Sequence, residues 1–566
     1  MMRRASIVLA LAAMLAAFAA PRDDAGAFFR VGRIPRITIE LSAEAEASLR
    51  AEPRSYARCA VRDGDREVAA KAGVKLKGAA GSFQEFDARP AFTVNLDKFG
   101  AAEPWHGLAK FHLNNSVQDE SLLSEWMCSE ILRAAGQPAT RVQHARVAVN
   151  GRDLGLYVLK ESFDRDFLER NFRNPRGSLY DGGFCQDIDG ELELDERAKP
   201  AGAAKPSQGA AKPSQGAAKP SQGAAKPSRG AAEPSQGAAA AADERADLRA
   251  LAEACADPDM KQRWSRIEKL VDIDDFIRFM ALEAMLGHWD GYSFNSNNYR
   301  LYFEPGRKAR FLPHGMDQCF QDPGASVLDA PHALVARSVM RRPEWRTQYR
   351  RQIVRLLDEF DATRLAKRVE PVQRRIQEAL REIGEEPARL QAERAAEFLR
   401  RVAERERSLR EQSAAPEPKP LVFRKGVPVA VTGWHPMSEV EDAVLEEVEI
   451  GGAPWYRVAC GESRRCVAGW RRSVLLGKGR YRFEADLRLE GVERLADDDA
   501  ARPGAGGGIR AGAGARTEDG LGSGERKVAF AFEVVEEIAD VELEIALRAS
   551  RGSAAFRIDS LRLTRE

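Results

Sequence analysis

Five polar side chains interrupt a part of the chain that is otherwise apolar and aromatic. They lie in two stretches, HWDGYSFNSNNYRLY from His288 and LPHGMDQCF from Leu312. The five are Asp290, Asn295, Asn297, Asn298 and Asp317. Burying a carboxylate or an amide without a partner costs several kcal/mol. The cluster is therefore either a polar turn whose groups satisfy one another or a site that holds a cation.

Carboxylate and amide oxygens are ligands that a hard cation such as Mg²⁺ prefers. In protein kinases a catalytic Asp, an Asn after four intervening residues and a metal-binding Asp further along the chain divide the work of phosphoryl transfer. Asp290, Asn295 and Asp317 follow that order, with four residues between the first two. The spacing D-x-x-x-x-N is common by chance, so it indicates such a site only together with other motifs.

The elements that must position these residues begin with strands and one helix. ITIEL, VKLKG and AFTVNL alternate apolar and polar residues, which predicts half-buried strands. LLSEWMCSEILRAAG, from Leu122, has helical spacing, and Gly136 is a plausible stop. HARVAVNG and LGLYVLKE predict two further strands joined by a hairpin turn at Asn150-Gly151.

Helices dominate the part of the chain that follows, over residues 246–412, apart from the polar stretches. LVDIDDFIRFMALEAMLG predicts an amphipathic helix with Asp272 or Asp274 near its start, where a carboxylate suits the helix dipole. Between the two parts, residues 197–245 contain the repeated motif AAKPSQG. A segment of this composition has too few apolar side chains to join a hydrophobic core, so we expect a disordered insertion there.

The remainder of the chain predicts a separate β domain. Residues 413–420 are Pro-rich and form a linker, and residues 421–566 contain successive strand patterns parted by Gly-rich turns. This pattern is typical of an all-β sandwich. The GAGGG loop that begins at Gly504 is expected to lack fixed structure.

Charge and targeting signals narrow the classes of function. The chain has 87 basic and 86 acidic side chains, and no basic stripe interleaved with aromatic residues, which argues against a nucleic-acid partner. Residues 1–27 have a basic start and an apolar run, Ile7 to Ala20, that is shorter than the about twenty residues of a membrane span. Small-residue cleavage sites follow, so we predict an export signal, with an uncleaved anchor as the alternative, and a secreted, periplasmic or cell-surface location.

The seven cysteines are sparse and odd in number, although an exported chain allows disulfides. Cys460 and Cys466 lie close enough in sequence to bridge a hairpin. No CxxC pair occurs, which argues against a zinc site.

Five segments occur in a fixed order between Ile37 and a point just beyond Phe320. They are VKLKGAAGSF, the run from FHLNNS to LYVLKESFD, GSLYDGG, the run from DIDDFIRF to NSNNYRLY, and FLPHGMDQCF. Together they resemble motifs of the CotH kinase family (spore coat protein H-like). The resemblance implies an α+β fold, with an atypical protein-kinase-like two-lobed domain over residues 33–196 and 246–412, followed by a jelly-roll-like all-β sandwich. It also implies ATP and Mg²⁺ or Mn²⁺ as cofactors, and transfer of the γ-phosphate to Ser or Thr of surface or coat proteins.

The resemblance gives roles to the polar cluster. Asp290 would be the catalytic carboxylate, which orients and deprotonates the acceptor hydroxyl, unless it is a cap or a turn residue. Asp317 would bind the metal, unless it forms an Asx turn. Asn295 or Asn298 would complete the metal shell.

The same resemblance gives roles to the first part of the chain. Lys77 and Gly78 would approach the nucleotide phosphates, and Glu161 would pair with such a lysine; the alternative for both charges is an exposed strand end. Gly315 stands where many family members carry an Asp, so Asp317 alone supplies a carboxylate there. This departure leaves a catalytically inactive scaffold as the alternative function.

Aromatic residues of the β domain suggest a second partner. Trp434, Trp455, Trp470 and Tyr481 are side chains of the kind that stack on sugar rings, and the domain resembles jelly-roll modules that bind carbohydrate. The alternative is that all four belong to the core.

Overall fold

The computed structural model describes residues 24–31, 33–79, 81–195, 245–328, 331–415, 419–438, 440, 442–495, 505–512 and 520–566. The predicted export signal and the repeat segment lie almost wholly outside these residues. Within them, no helix combines the length and the apolar character needed to cross a membrane.

The first part of the described chain forms a closed barrel of seven strands. Its elements are α1 (Asp24–Val31), β1 (Arg36–Leu41), α2 (Ala43–Ala51), β2 (Ala57–Asp63), β3 (Arg66–Lys77), β4 (Ala91–Asn95), β5 (Lys110–Asn114), α3 (Ser124–Ala134), β6 (Val142–Val149) and β7 (Arg152–Glu161). The strand order is β1-β2-β3-β4-β5-β7-β6, and β6 closes the barrel by pairing in parallel with β1. The strands predicted from alternation are therefore confirmed.

Local sequence explains the turns of the barrel. Asn150 and Gly151 have φ angles of 47° and 81°, which is the left-handed geometry of a tight hairpin between β6 and β7. Helix α3 stops just before Gly136, whose φ is 76°. Eight of the eleven residues of α3 are buried, so this helix packs on more than one side.

The second part of the described chain combines a small sheet with helices. Its elements are α4 (Arg165–Asn171), β8 (Ser178–Asp181), β9 (Glu193–Leu194), α5 (Ala246–Ala256), α6 (Met260–Leu270), α7 (Ile273–Leu286), α8 (Tyr292–Asn295), β10 (Tyr299–Phe303), β11 (Arg310–Pro313), α9 (Leu334–Met340), α10 (Pro343–Leu356), a 3₁₀ turn (Leu357–Phe360), α11 (Ala362–Arg381) and α12 (Glu385–Ala414). The sheet order is β11-β10-β8-β9.

Helix α7 is the predicted amphipathic helix and leads directly into the polar stretch. The Asp272 carboxylate caps its start by accepting a hydrogen bond from the backbone N–H of Asp275 at 3.2 Å. Gly287, with φ 65°, ends it in the left-handed conformation. The chain leaves the helix at that point, and Asp290 follows in the loop before α8.

The last part of the described chain is β structure around one core. Its elements are β12 (Val429–Ala430), β13 (His435–Ser438), β14 (Val444–Ile450), β15 (Ala453–Ala459), β16 (Cys466–Glu493), β17 (Gly506–Ala511), β18 (Gly522–Ala549), β19 (Arg551–Arg557), a 3₁₀ turn (Ile558–Ser560) and β20 (Arg562–Arg565). The nine strands form one hydrogen-bonded sheet, in which β16 and β18 pair along most of their 28 residues each.

One expectation for this domain was wrong, and the structure decides between the two alternatives for its aromatic residues. The segment Gly506–Gly508 is part of strand β17 and is buried, because the glycines let it approach its neighbours closely; a Cβ on Gly507 would lie 2.6 Å from Leu489 Cδ2. The four aromatic residues proposed to stack on sugars are core residues with exposures of 8 % or less. The Trp434 indole N–H, for example, donates to the carbonyl of Val431 at 2.9 Å. Sugar stacking by these four side chains is therefore excluded.

Candidate functional site

The Asp290 carboxylate collects the side-chain amides of three asparagines. Asn295 Nδ2 lies 2.5 Å from Asp290 Oδ1, Asn297 Nδ2 lies 3.0 Å from the same oxygen, and Asn298 Nδ2 lies 2.8 Å from Asp290 Oδ2. The structure thus brings together Asp290, Asn295 and Asn298 as the sequence predicted. The amides donate to the carboxylate, so the polar groups of this turn satisfy one another.

A buried carboxylate on helix α7 holds the Asp290 loop. Glu283 accepts hydrogen bonds from the backbone N–H groups of Tyr292 at 2.9 Å and Ser293 at 3.0 Å, and from the Ser293 hydroxyl at 2.6 Å. Burial raises the pKa of Glu283 to about 7. Gly291 passes so close that a Cβ on it would lie 2.4 Å from Glu283 Oε1. Glu283 therefore fixes the path of the loop directly after Gly291.

The structure explains why position 315 carries a glycine and not an aspartate. Gly315 has φ 63°, which is strained for any other residue, and a Cβ on it would lie 2.3 Å from Asn298 Oδ1. Its carbonyl accepts a hydrogen bond from His288 Nε2 at 3.2 Å. In this structure Asn298 occupies the space that an Asp at position 315 would need. The Asp290 loop and the segment before Asp317 meet at these contacts.

A buried ion pair that sequence reasoning missed lies beside Asp317. Lys160 Nζ, on β7, lies 2.6 and 2.8 Å from the two carboxylate oxygens of Glu125, on α3. Asn114 Nδ2 donates to Glu125 Oε1 at 3.2 Å, and Lys77 Nζ donates to Asn114 Oδ1 at 2.6 Å. One network therefore joins three barrel strands to helix α3.

A signal for this pair was present in the sequence. Glu125, Cys128 and Leu132 have the spacing of one helix face, and all three are buried. A carboxylate on an otherwise apolar helix face needs a cationic partner. The partner could not be chosen from the sequence, because the barrel strands carry several lysines, Lys77 and Lys160 among them.

Asp317 is a carboxylate without an ion pair among the described residues. Burial, together with the neighbouring Glu125 carboxylate, raises its pKa to about 6, while Lys160 and Lys77 oppose the rise. A cavity of about 440 Å³ borders Asp317 and is also lined by Ser124, Arg394 and Arg401. No group of three or more His, Cys, Asp or Glu side chains suited to a metal ion occurs in the described part of the chain.

Two lysines, Lys77 and Lys160, act electrostatically on Asp317. Burial, and to a smaller extent the nearby Lys160 charge, lower the pKa of Lys77 to about 8. Arg300, on β10, forms an ion pair with Asp181 at 2.7 Å and is among the charges that act on Lys77. Lys160 and Arg300 both act on Lys77, and each already forms an ion pair, with Glu125 and Asp181 respectively.

Two predicted residues of the first part have different partners from those expected. The pairing of Glu161 with a phosphate-binding lysine such as Lys77 was wrong: Glu161 is buried against Arg141 at 2.8 Å and Arg170 at 2.6 Å. Lys160, the neighbour of Glu161, makes the pair with a glutamate instead. Gly78 lies at the end of β3 with φ 111°, and its carbonyl accepts a hydrogen bond from Arg54 Nη2 at 2.5 Å.

Comparisons with known proteins give one relative and several solved structures. Invasin CotH2 of Rhizopus delemar is 24% identical over 232 residues, which are 39% of this chain and 33% of that protein. The chain thus matches only about a third of the length of this relative.

Among solved structures, tailspike protein 4 of bacteriophage CBA120 has a TM-score of 0.17 and 6% identity, over 24% of this chain and 19% of that one. The CBM22-1-GH10 modules of Clostridium thermocellum xylanase 10B, complexed with xylohexaose, have a TM-score of 0.17 and 14% identity, over 24% and 26%. TmCBM61 in complex with β-1,4-galactotriose has a TM-score of 0.15 and 13% identity, over 24% and 91%. At these scores the likeness carries no argument about this chain.

The match to a family profile is broader. The profile described as CotH kinase protein matches residues 74–409, which include the barrel strands from the end of β3 onward, the Lys160–Glu125 pair, the Asp290 loop and Asp317. This range is more than half of the chain. The chain therefore belongs to the CotH kinase family.

Proposed function

We propose that the protein is an exported protein kinase, which transfers the γ-phosphate of ATP to Ser or Thr hydroxyls of surface or coat proteins. The observation that carries this proposal is the buried Lys160–Glu125 pair beside Asp317 and Lys77. A lysine held by a helix glutamate and a nearby metal-binding aspartate are the two parts that protein kinases need in place together. Membership of the CotH kinase family supports the assignment, and the name of the relative, an invasin, is consistent with export.

In this proposal the barrel and the helical part act as the two lobes of the kinase. Glu125 fixes the Lys160 amine, so that the lysine needs no reordering when it binds a phosphate oxygen. Lys77 would add a further cation for the remaining phosphate charge. Gly78 follows Lys77 in the chain, and because it has no side chain its backbone would be able to approach a nucleotide phosphate closely.

The residues present fit a divalent cation. Asp317 is a partly buried carboxylate whose charge no ion pair balances among the described residues, and a cation would favour its ionised form. The Asn298 side chain donates from Nδ2 to Asp290, and its Oδ1 lies beside Gly315. Gly315 is two residues from Asp317. We therefore assign Asp317 and Asn298 as metal ligands. Asn295, whose Nδ2 contacts Asp290 and Cys185 Sγ, is the weaker candidate. Bound Mg²⁺ or Mn²⁺ would neutralise phosphate charge during transfer.

Asp290 would position the acceptor. Three amide donors fix the orientation of its carboxylate, which would accept a hydrogen bond from the Ser or Thr hydroxyl. As the acceptor oxygen forms its bond to the γ-phosphorus, the bond from that phosphorus to the bridging oxygen breaks and ADP leaves. The hydroxyl proton passes to Asp290.

A catalytically inactive scaffold is the second candidate. Two observations favour it: the Asp290 carboxylate already accepts hydrogen bonds from three side-chain amides, and Asn298 fills the space where an Asp at position 315 would lie. A scaffold of this kind would retain the fold and the Lys160–Glu125 pair without transferring phosphate.

Label transfer separates the two candidates. The purified protein is incubated with γ-labelled ATP, Mg²⁺ or Mn²⁺ and a Ser/Thr-rich acceptor protein, beside Lys160→Met and Asp317→Asn. Lys367→Met, which changes an exposed lysine on α11, is the matched control. A kinase labels the acceptor, and both site variants lose about a hundredfold or more of that activity while the control keeps it. Absence of transfer by the unmodified protein with either metal would favour the scaffold.

A further inference from the structure

A second groove, which shares no lining residue with the cavity beside Asp317, is lined by three arginines. It lies between helix α10 and the end of α12 and encloses a cavity of about 430 Å³. Arg350, Arg351 and Arg355 line it from α10, where their spacing of one, four and five residues places them on one side of the helix. The cavity has an apolar wall as well, to which Val327, Leu328 and the half-exposed Val354 contribute.

These arginines have no acidic partners within the part of the chain that the structure describes. Among the residues that the structure describes, no carboxylate lies within ion-pair distance of Arg350, Arg351 or Arg355. Helix α12 differs from α10 in this respect. Five of its arginines form ion pairs with glutamates: Arg389, Arg394, Arg400, Arg401 and Arg410. Within the described residues, no ion pair therefore balances the three guanidinium charges of the groove.

Two buried polar atoms at the groove also lack partners. Among the described residues, Arg350 Nη1 and Ser413 Oγ are shielded from solvent and make no hydrogen bond. The other terminal nitrogen of Arg350, Nη2, donates to the carbonyl of Ala415 at 3.1 Å, which holds the guanidinium against the end of α12. Buried donors are almost always satisfied in native proteins, so these atoms indicate a missing acceptor.

We propose that this groove binds a phosphorylated Ser or Thr side chain of a peptide segment. Three guanidinium groups supply more positive charge than one carboxylate would balance, and a phosphate monoester carries up to two negative charges with three acceptor oxygens. Guanidinium forks match phosphate oxygens in bidentate geometry. The cavity is much larger than one phosphate group, and its apolar wall offers contact to a residue that flanks the phosphorylated one. The proposal does not depend on phosphotransfer by this chain, since it concerns equilibrium binding alone.

Binding to the full chain tests the proposal. The probe is a fluorescein-labelled peptide with one phosphoserine flanked by leucines, compared by anisotropy with the same peptide carrying unmodified serine. We expect the phosphopeptide to bind at least about tenfold more tightly. The double variant Arg351→Gln/Arg355→Gln should lose at least about tenfold in affinity. Both arginines are exposed, so the fold should tolerate the change, and Arg407→Gln, an exposed arginine of α12 outside the groove, should leave binding unchanged.

Four results would overturn the proposal. They are equal binding of the two peptides, no binding of either, unchanged phosphopeptide affinity in the double variant, and loss of affinity in the Arg407→Gln control equal to that in the double variant. Inorganic phosphate and phosphatidylserine vesicles are tested in parallel. If phosphate alone competes as strongly as the phosphopeptide, the groove is a simple anion site. If vesicles bind through the same two arginines and the phosphopeptide does not, the groove faces a membrane.

Discussion

The Lys160 amine lies 2.6 Å from one carboxylate oxygen of Glu125 and 2.8 Å from the other, and both side chains are buried. The two residues belong to a barrel strand and to helix α3, so their contact fixes the helix on the barrel. Because helix α3 also contacts the segment before Asp317, through the Ser124 hydroxyl and the Met316 carbonyl at 2.6 Å, the pair ties the barrel to that segment.

Replacing one member of this ion pair should lower the free energy of unfolding more than replacing both members. Lys160→Met leaves the Glu125 carboxylate buried without its cation, and we expect a loss of about 3–5 kcal/mol in the free energy of unfolding. The double change Lys160→Met/Glu125→Leu should lose clearly less, since no buried charge remains. Urea denaturation of both variants and of Lys367→Met checks this. Equal losses in the single and double variants would show that the pair contributes packing alone.

Nucleotide affinity should fall as the pH rises through about 8. Burial lowers the pKa of Lys77 to about 8 from a usual 10.5, so Lys77 is cationic below that pH and neutral above it. Calorimetric titration with a non-hydrolysable ATP analogue between pH 7 and about pH 9 measures the effect. Lys77→Arg keeps its charge and should remove this fall. A fall of the same size in Lys77→Arg would assign it to another group.

Stability should respond to the same lysine in the opposite sense. The unfolded chain keeps the Lys77 proton up to about pH 10.5, whereas the folded protein releases it near pH 8. Raising the pH between these values therefore favours the folded state, by up to about 1.4 kcal/mol per pH unit from this group. Comparing urea midpoints of the unmodified protein and Lys77→Met at pH 8 and about pH 10 isolates the contribution. The slope should be smaller in Lys77→Met.

Replacing Gly315 should destabilise the protein instead of restoring a missing carboxylate. Gly315→Ala imposes a left-handed conformation on a residue with a side chain and brings its Cβ against Asn298, at a cost of about 1–2 kcal/mol or more. Gly315→Ala/Asn298→Ala removes the contact with the amide and should recover part of the loss. Thermal melts of both variants and of Asn298→Ala alone check the coupling. Additive effects would mean that the close approach of Asn298 to Gly315 is not what limits position 315.

The sequence predicted those elements whose structure depends on residues close to one another in the chain. Alternation predicted β1, β3 and β4, and the Asn150-Gly151 pair predicted the hairpin, because both depend on neighbouring residues. The composition of Gly506–Gly508 suggested a loop, but close packing against Leu489 makes it a strand.

The candidate site was harder because its contacts join distant segments. Asp290 and its asparagines are a few residues apart, so their meeting could be predicted. Lys160 and Glu125 come together only when the barrel closes against α3, and the sequence does not show which of the strand lysines faces that helix. The aromatic residues of the β domain failed for a related reason, since residue type does not say which face of a strand is buried.

The β domain should fold by itself. Its buried residues form their own cluster, which includes Trp470, Phe483 and Leu547. Residues 421–566 expressed alone should give a soluble product and a cooperative melt dominated by β signal in circular dichroism. A molten or insoluble product would mean that the domain boundary is wrong.

The central claim is that Asp290 and Asp317 serve metal-dependent phosphoryl transfer in different ways. Calorimetry of a non-hydrolysable ATP analogue with Mg²⁺ or Mn²⁺ tests it most directly, on the unmodified protein, Asp317→Asn and Asp290→Asn. We predict that the unmodified protein binds only with metal and that Asp317→Asn loses this binding. Asp290→Asn should bind normally, while its label transfer falls by about 10²–10⁴-fold. If the unmodified protein binds no nucleotide with either metal, the Asp and Asn cluster is only a polar turn, and the kinase assignment is wrong.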